Sequence, residues 1–206
     1  MSTIQKLAEL FSQFPGIGPR QAKRFVYFLL TRNHNFLDDL THLITTLKKD
    51  VSSCSSCYRF FAPNGKSVSL CSICSNGNRH DDMLMIIEKD IDFENIERGG
   101  VYTGKYFILG GSVPISEKEP NKRVRGKELV SAVEKLIKEN TLKEIILALS
   151  VTPAGENTAQ YINELLSPVV KKHSIKISTL GRGLSTGTEL EYPDSETIKN
   201  ALKNRA

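Results

Sequence analysis

Along the first fifty residues the apolar positions recur every three or four places. Ile4, Leu7, Ala8, Phe11 and Phe14 follow this spacing and predict an amphipathic helix over 3–13. Pro15-Gly16-Ile17-Gly18-Pro19 interrupts it. Pro19 suits the first turn of a second helix, where a missing N–H leaves no partner unsatisfied. That helix is expected to carry Ala22, Phe25, Val26, Leu29 and Leu30 inward, and a third, about 36–48, places Phe36, Leu40, Leu43, Ile44 and Leu47 on one face.

Residues 51–78 lose this rhythm and become small, polar and cysteine-bearing. Short apolar runs of buried-strand type follow at 83–88 (MLMIIE), 106–111 (YFILGG), 146–150 (ILALS) and 176–181 (KISTLG). Helical stretches near 92–98, 127–140 and 156–172 lie between them. Strands alternating with helices predict a parallel sheet covered on both faces. The fold class is therefore α/β with an all-helical N-terminal part. A last amphipathic helix, about 195–204, has Asp194 or Ser195 as its expected cap.

Composition narrows the possible roles. A chain of 206 residues, 39% hydrophobic and 25% charged, is long enough to bury a core. No apolar run approaches the roughly 18 residues of a membrane span. The start, MSTIQKLAELF, lacks the basic beginning and apolar middle of a signal peptide, so a cytoplasmic location is expected. The net charge of +5 points to a polyanionic partner only if the charges are grouped.

All four cysteines fall in one stretch, Cys54-x-x-Cys57 and Cys71-x-x-Cys74. Each pair can set two thiolates on one side of a tight turn, and two such turns complete the tetrahedral four-sulfur shell that Zn²⁺ prefers. One structural Zn²⁺ per chain is the expected use, stapling a segment too small to hold its own core. Two disulfides or redox thiols are the competing uses, and a cytoplasmic setting disfavours the disulfides. Phe60 and Phe61 are expected to cover the metal, the alternative being a contact with exposed bases.

Basic residues are grouped in the stretch FPGIGPRQAKR. A Gly-rich turn at Gly16 and Gly18 followed by a helix start can aim backbone N–H groups at a phosphate, helped by the helix dipole. Arg20, Lys23 and Arg24 recur at i, i+3 and i+4 on one face of the new helix, opposite its apolar side. The stretch resembles a helix-hairpin-helix, an element that holds DNA by its backbone without reading bases. A helical connector with a solvated basic face is the plainer use of the same residues.

The order of parts is similar to that of one family. The hairpin LFSQFPGIGPRQAKRFVYFLL, the four cysteines, MLMIIEKDID, GGVYTGKYFILGG and LGRGLSTGTELEYPDSETIKNAL together resemble RecR, the bacterial recombination mediator. The resemblance implies a helix-hairpin-helix domain at 1–52, a four-cysteine zinc finger at 53–78, a Toprim domain at 79–180 and an oligomerisation segment at 181–206. It implies a homo-oligomer, dimer or tetramer, closing as a ring around DNA. RecO, and in some cases RecF, is the implied partner, helping to load RecA onto single-stranded DNA, with single- and double-stranded DNA both bound.

Toprim enzymes place a glutamate after the first strand and an Asp-x-Asp after a later one, the oxygen set that Mg²⁺ chemistry requires. Here Glu88 ends the first run, but Ser150 and Thr152 stand at the two aspartate positions and Ala154 at the next acidic one; only Glu156 remains. A non-catalytic protein is expected. The alternative is a Mg-dependent Toprim enzyme built on Glu88 and Glu156, with Asp90 and Asp92 nearby, although those two aspartates suit helix capping better. The basic stretch 116–128, with Lys118, Lys122, Arg123, Arg125 and Lys127, is either a solvated loop or a DNA contact. Gly104-Lys105 lacks P-loop spacing. His34, His42, His80 and His173 form no cluster and are expected at the surface.

Overall fold

The computed structural model describes residues 1–65, 68–139 and 141–204. The chain divides into two compact units, Met1–Val51 and Ser52–Ala206. The first holds α1 (Thr3–Ser12), α2 (Pro19–Leu30) and α3 (His34–Asp50). Ser2 and Gln5 bond each other's backbones at the start of α1, and Asn33 accepts from Phe36 N at the start of α3. Ala8, Ala22 and Val26 are buried between α1 and α2, with Ile4, Leu7, Phe11 and Ile17 around them.

Two apolar expectations for this unit are corrected. Leu30 is not inward but 65% exposed, because it lies past the line along which α2 meets α1. The apolar stripe of α3 exists but buries none of its own residues. Phe36 meets the ring of Phe28, centroids 6.2 Å apart, but Phe36, Leu43, Ile44 and Leu47 are all exposed. A unit of this size buries few side chains, and its buried cluster lies between α1 and α2.

The second unit opens with a small antiparallel pair, β1 (Ser52–Ser53) and β2 (Phe60–Phe61), which the apolar pattern does not announce. Then follow β3 (His80–Ile87), α4 (Asp90–Arg98), β4 (Gly104–Ile108), α5 (Gly126–Lys138), β5 (Glu144–Ala148), α6 (Pro153–Lys172), β6 (Lys176–Thr179) and α7 (Ser195–Lys203). The four longer strands form a fully parallel sheet in the order β4-β3-β5-β6. Its faces follow the alternation of side chains along a strand. Leu84, Ile86, Phe107, Ile145 and Leu147 point to one core with Leu129 and Val133 of α5 and Ile162 and Leu166 of α6. Met85, Ile87, Tyr106 and Ile108 point to the other, against Phe93 of α4.

The strand ends sit a few residues from their apolar runs. β3 begins at His80 and stops at Ile87, so Glu88 lies just beyond it; α6 begins at Pro153, capped by Thr152, whose Oγ1 accepts from Gly155 N. Asp194, not Ser195, caps α7, accepting from Glu196 N and Thr197 N at 2.9 Å each. The expected ends of 127–140 and of the 181–206 segment reach residues 140, 205 and 206, outside the described residues, as do residues 66 and 67 of the cysteine stretch. No described helix is long and apolar enough to cross a membrane.

Candidate metal centre, hairpin and acidic edge

The cysteine stretch folds as two tight turns facing each other. In the first, Tyr58 N donates to Cys54 O at 3.0 Å, with Tyr58 in the left-handed region at φ 63°. In the second, Ser75 N donates to Cys71 O at 3.0 Å. Cys54, Cys57, Cys71 and Cys74 thereby bring their four Sγ atoms within 4.8 Å of one another. None is in a disulfide, which corrects the paired-disulfide alternative: the Cys57–Cys71 sulfurs are 3.7 Å apart, against about 2.05 Å for a bonded pair. A tetrahedral ion with metal–sulfur bonds of about 2.3 Å requires sulfurs about 3.8 Å apart, so the shell fits a soft dication.

Crowding divides the four thiols. Hydrogen bonding from Cys57, then from Cys71 and Cys74, pulls Cys54 far below the ordinary thiol value. Against the hydrogen bond of Cys54, which raises it, Cys57 and Cys74 bring Cys71 down to about 6. Cys57 and Cys74 are pushed up, first by Cys54. The thiolate is the form a metal takes. Cys71 N donates to Cys54 Sγ at 3.4 Å and orients that ligand. Phe61 packs on the cluster as expected; Phe60 does not, standing 56% exposed while its backbone N donates to Asp90 Oδ1 at 2.7 Å. That bond also corrects the capping role expected of Asp90. Asp92 does cap, its Oδ2 accepting from Lys89 N at 3.0 Å.

In the hairpin, Ile17 N donates to Phe14 O at 3.0 Å and Gly16 turns the chain at φ 76°, a conformation that favours glycine. Gly18 is the N-cap of α2, and no side chain caps that helix. Nothing lies within 4 Å of where a Cβ would stand on Gly16 or Gly18, so both face open space. Arg20, Lys23 and Arg24 are exposed on the following turns; Arg24 Nη1 donates to Gln21 Oε1 at 3.3 Å.

At the strand ends Glu88 is buried, 4% exposed. Its two oxygens accept from Ser150 N at 2.9 Å and Ser150 Oγ at 3.1 Å. A side chain at Gly155 would collide with Ser150 O, which explains the glycine there. Glu156 turns outward and pairs with Arg182. The two carboxylates therefore take separate protein donors. The partner of each, Ser150 and Arg182, carried no signal in local spacing: they lie 62 and 26 residues away.

The 116–128 stretch largely answers its own charge. Arg123 pairs with Glu117 and Lys122 with Glu119, both at 2.6 Å. Arg125 Nη1 donates to Ile108 O at 2.9 Å, with its guanidinium against the Gly110 turn. Lys118 and Lys127 remain exposed. The four histidines are all exposed. A network that no local spacing signals joins Arg79, whose guanidinium donates to both Glu97 oxygens (2.7 and 3.1 Å), with Tyr106, whose hydroxyl donates to Glu97 at 2.8 Å.

The family model for the RecR helix-hairpin-helix matches residues 4–48, and that for the Toprim domain matches 82–181. Proteins named Recombination protein RecR are similar over nearly the whole chain. The one from Dehalococcoides mccartyi is 33% identical over 202 residues, 98% of this chain and 93% of its own. That from Legionella pneumophila is 32% identical over 207 residues, 100% of this chain and 97% of its own. That from Lactobacillus acidophilus is 32% identical over 202 residues, 98% and 96% of the two chains. With this identity over this length, and the hairpin, cysteine cluster and parallel sheet in one order, the chain belongs to the RecR family.

Proposed function

We propose that the protein is a recombination and repair mediator that binds DNA without sequence preference and without catalysis. The hairpin carries the proposal: open glycines Gly16 and Gly18, an α2 start that no side chain caps, and exposed Arg20, Lys23 and Arg24 beside it. Such an arrangement suits a phosphate, a contact that carries no sequence information. The name Recombination protein, borne by the similar proteins, supports the role.

The further parts of the reading follow the family. Residues 1–52 serve as the DNA-binding domain, 53–78 as a zinc finger, 79–180 as the Toprim domain and 181–206 as the oligomerisation segment. The bound ion is one structural Zn²⁺ on Cys54, Cys57, Cys71 and Cys74, in keeping with the sulfur spacing. Copies close as a dimer or tetramer ring on single- or double-stranded DNA in the cytoplasm, and with RecO and RecF they help load RecA onto single strands. The absence of catalysis is supported by the fate of the acidic motif: Glu88 is bonded by Ser150 and Glu156 by Arg182.

DNA binding over a salt series tests the reading. Arg20→Gln, Lys23→Gln and Arg24→Gln together should weaken binding to every sequence alike. The salt slope should fall by about 0.7–0.9 for each phosphate left without its cation. Unchanged affinity in a triple variant with wild-type helix content would leave the hairpin as a connector. Cleaved or extended strands in the same tubes with Mg²⁺, lost on Glu88→Gln, would establish the enzyme instead.

A further inference from the structure

The two faces of α2 differ in character. Ala22 and Val26 are buried in the cluster shared with α1, while Arg20, Lys23 and Arg24 stand exposed on the other side. Tyr27 belongs with the second group. It follows Arg20 by seven residues, Lys23 by four and Arg24 by three, the separations that share one face of a helix. It lies about 4.5 Å beyond Arg24 along the helix axis.

A ring on the polar face of an amphipathic helix lacks the burial that usually holds one. Tyr27 is 57% exposed. Among the described residues its hydroxyl has no hydrogen-bond partner, no aromatic ring stacks on it and no cation covers it. Its neighbour Phe28 differs: the Arg32 guanidinium sits 3.9 Å from the Phe28 ring centroid, and the Phe36 ring lies 6.2 Å away. The charge around Tyr27 is of one sign. From Leu10 to Leu37 the chain has no Asp or Glu, yet the span holds Arg20, Lys23, Arg24 and Arg32. Among the described residues none of these four cations takes part in an ion pair.

Unpaired cations and a bare ring on a single helical face are the two ingredients of single-strand binding, the cations for phosphates and the ring for an unstacked base. We propose that Tyr27 is a base-stacking platform that makes the hairpin prefer single-stranded nucleic acid. The inference rests on the reading that Gly16, Gly18 and the basic residues beside them hold phosphates. With a phosphate at the hairpin, the strand runs along α2 and an adjoining base lies on the Tyr27 ring. A duplex keeps its bases paired and stacked inside, so it engages the cations alone. Every base has a flat face, so the preference for single strands carries no sequence.

Binding of a mixed-sequence single strand and of its blunt duplex to the full chain, each over a salt series, tests this. Tyr27→Ala should weaken single-strand binding about fivefold or more at every salt concentration. It should leave the salt slope, the duplex affinity and the melting temperature unchanged, since no phosphate contact and no buried side chain is lost. Tyr27→Phe keeps the ring and should bind as wild type. The chain has no tryptophan, so Tyr27→Trp supplies its only indole, whose emission a thymidine oligonucleotide should quench and the duplex should not. Arg20→Gln, Lys23→Gln and Arg24→Gln together should weaken both forms and lower the slope. If they do so while Tyr27→Ala binds the single strand as wild type does, the hairpin reading stands and the stacking is overturned. If the charge variant binds both forms unchanged, both readings fall. Equal loss on the two forms in Tyr27→Ala, with a change in oligomeric state, would make Tyr27 a contact between copies and overturn the proposal.

Discussion

Ser150 donates twice to Glu88, its backbone N–H to Oε1 at 2.9 Å and its hydroxyl to Oε2 at 3.1 Å. The buried carboxylate thus rests on neutral donors at a place where a second acid would call for a cation. Ser150→Ala removes one donor from a buried oxygen and should lower stability by about 1–3 kcal/mol, read from denaturant unfolding. Ser150→Asp sets two negative charges together. It should melt lower still and recover partly with Mg²⁺, which should leave the wild-type midpoint in place. A Ser150→Asp variant that melts as wild type, with or without Mg²⁺, would show that Glu88 does not depend on these donors.

The two hairpin glycines separate by backbone. Gly16 stands at φ 76° and Gly18 at φ −81°. Gly16→Ala should cost about 1–2 kcal/mol because an L side chain is strained there. Gly18→Ala meets no neighbour and an ordinary backbone, so stability should hold while a methyl group enters the space that the proposed phosphate contact would use. Weaker DNA binding by Gly18→Ala at unchanged melting temperature is the expected result. Unchanged binding would place the phosphate elsewhere.

Much of this was legible in local pattern, and the rest was not for a physical reason. The cysteine cluster was readable because each pair supplies its own turn, and β3 because a strand buried on both faces is apolar throughout, as in Leu84-Met85-Ile86-Ile87. The two-residue strands β1 and β2 follow from closing the cysteine turns and leave no periodic trace. Amphipathy revealed a face on α3 but could not say what, if anything, covers it. Asp90 reads as a cap because its position in the helix suits one; a backbone N–H thirty residues earlier, at Phe60, takes it instead. The basic loop reads as open charge because spacing alone does not pair Glu117 with Arg123 or Glu119 with Lys122.

Glu97 sets an acid limit on the fold. Burial would raise its pKa, but Arg79 and Tyr106 donate to it and hold it below the usual carboxylate range. A depressed folded value means stability is present above the unfolded value of about 4.3 and drains away as pH falls through the folded one. Melting temperatures from pH 7 to pH 3 should therefore fall below about pH 4.3, and Glu97→Gln should flatten that fall while lowering the plateau above it. Parallel curves for the two proteins would assign the acid sensitivity to other carboxylates.

Arg182 ties the start of the C-terminal segment to Glu156 at the head of α6. The same residue's carbonyl accepts from Asn204 Nδ2 at 2.8 Å, and Gly183 lies against Ala201. α7 is thus folded onto the turn that Arg182 anchors. Among the described residues, Arg182–Glu156 is the ion pair that joins 182–204 to the rest of the unit. Its side chains are 36% and 50% exposed, so it contributes about 0.2–1 kcal/mol and is weakened by salt. Loosening it should raise the rate at which a protease cuts within 183–204 by up to about fivefold in Glu156→Gln or Arg182→Gln. The reversed pair, Glu156→Arg with Arg182→Glu, restores attraction between the same two positions and should return the rate toward wild type. High salt should raise cleavage of the wild type toward the level of the single variants and leave theirs unchanged. If the reversed pair is cut as fast as the single variants, the segment is held by its apolar packing and Arg182 merely lies beside Glu156.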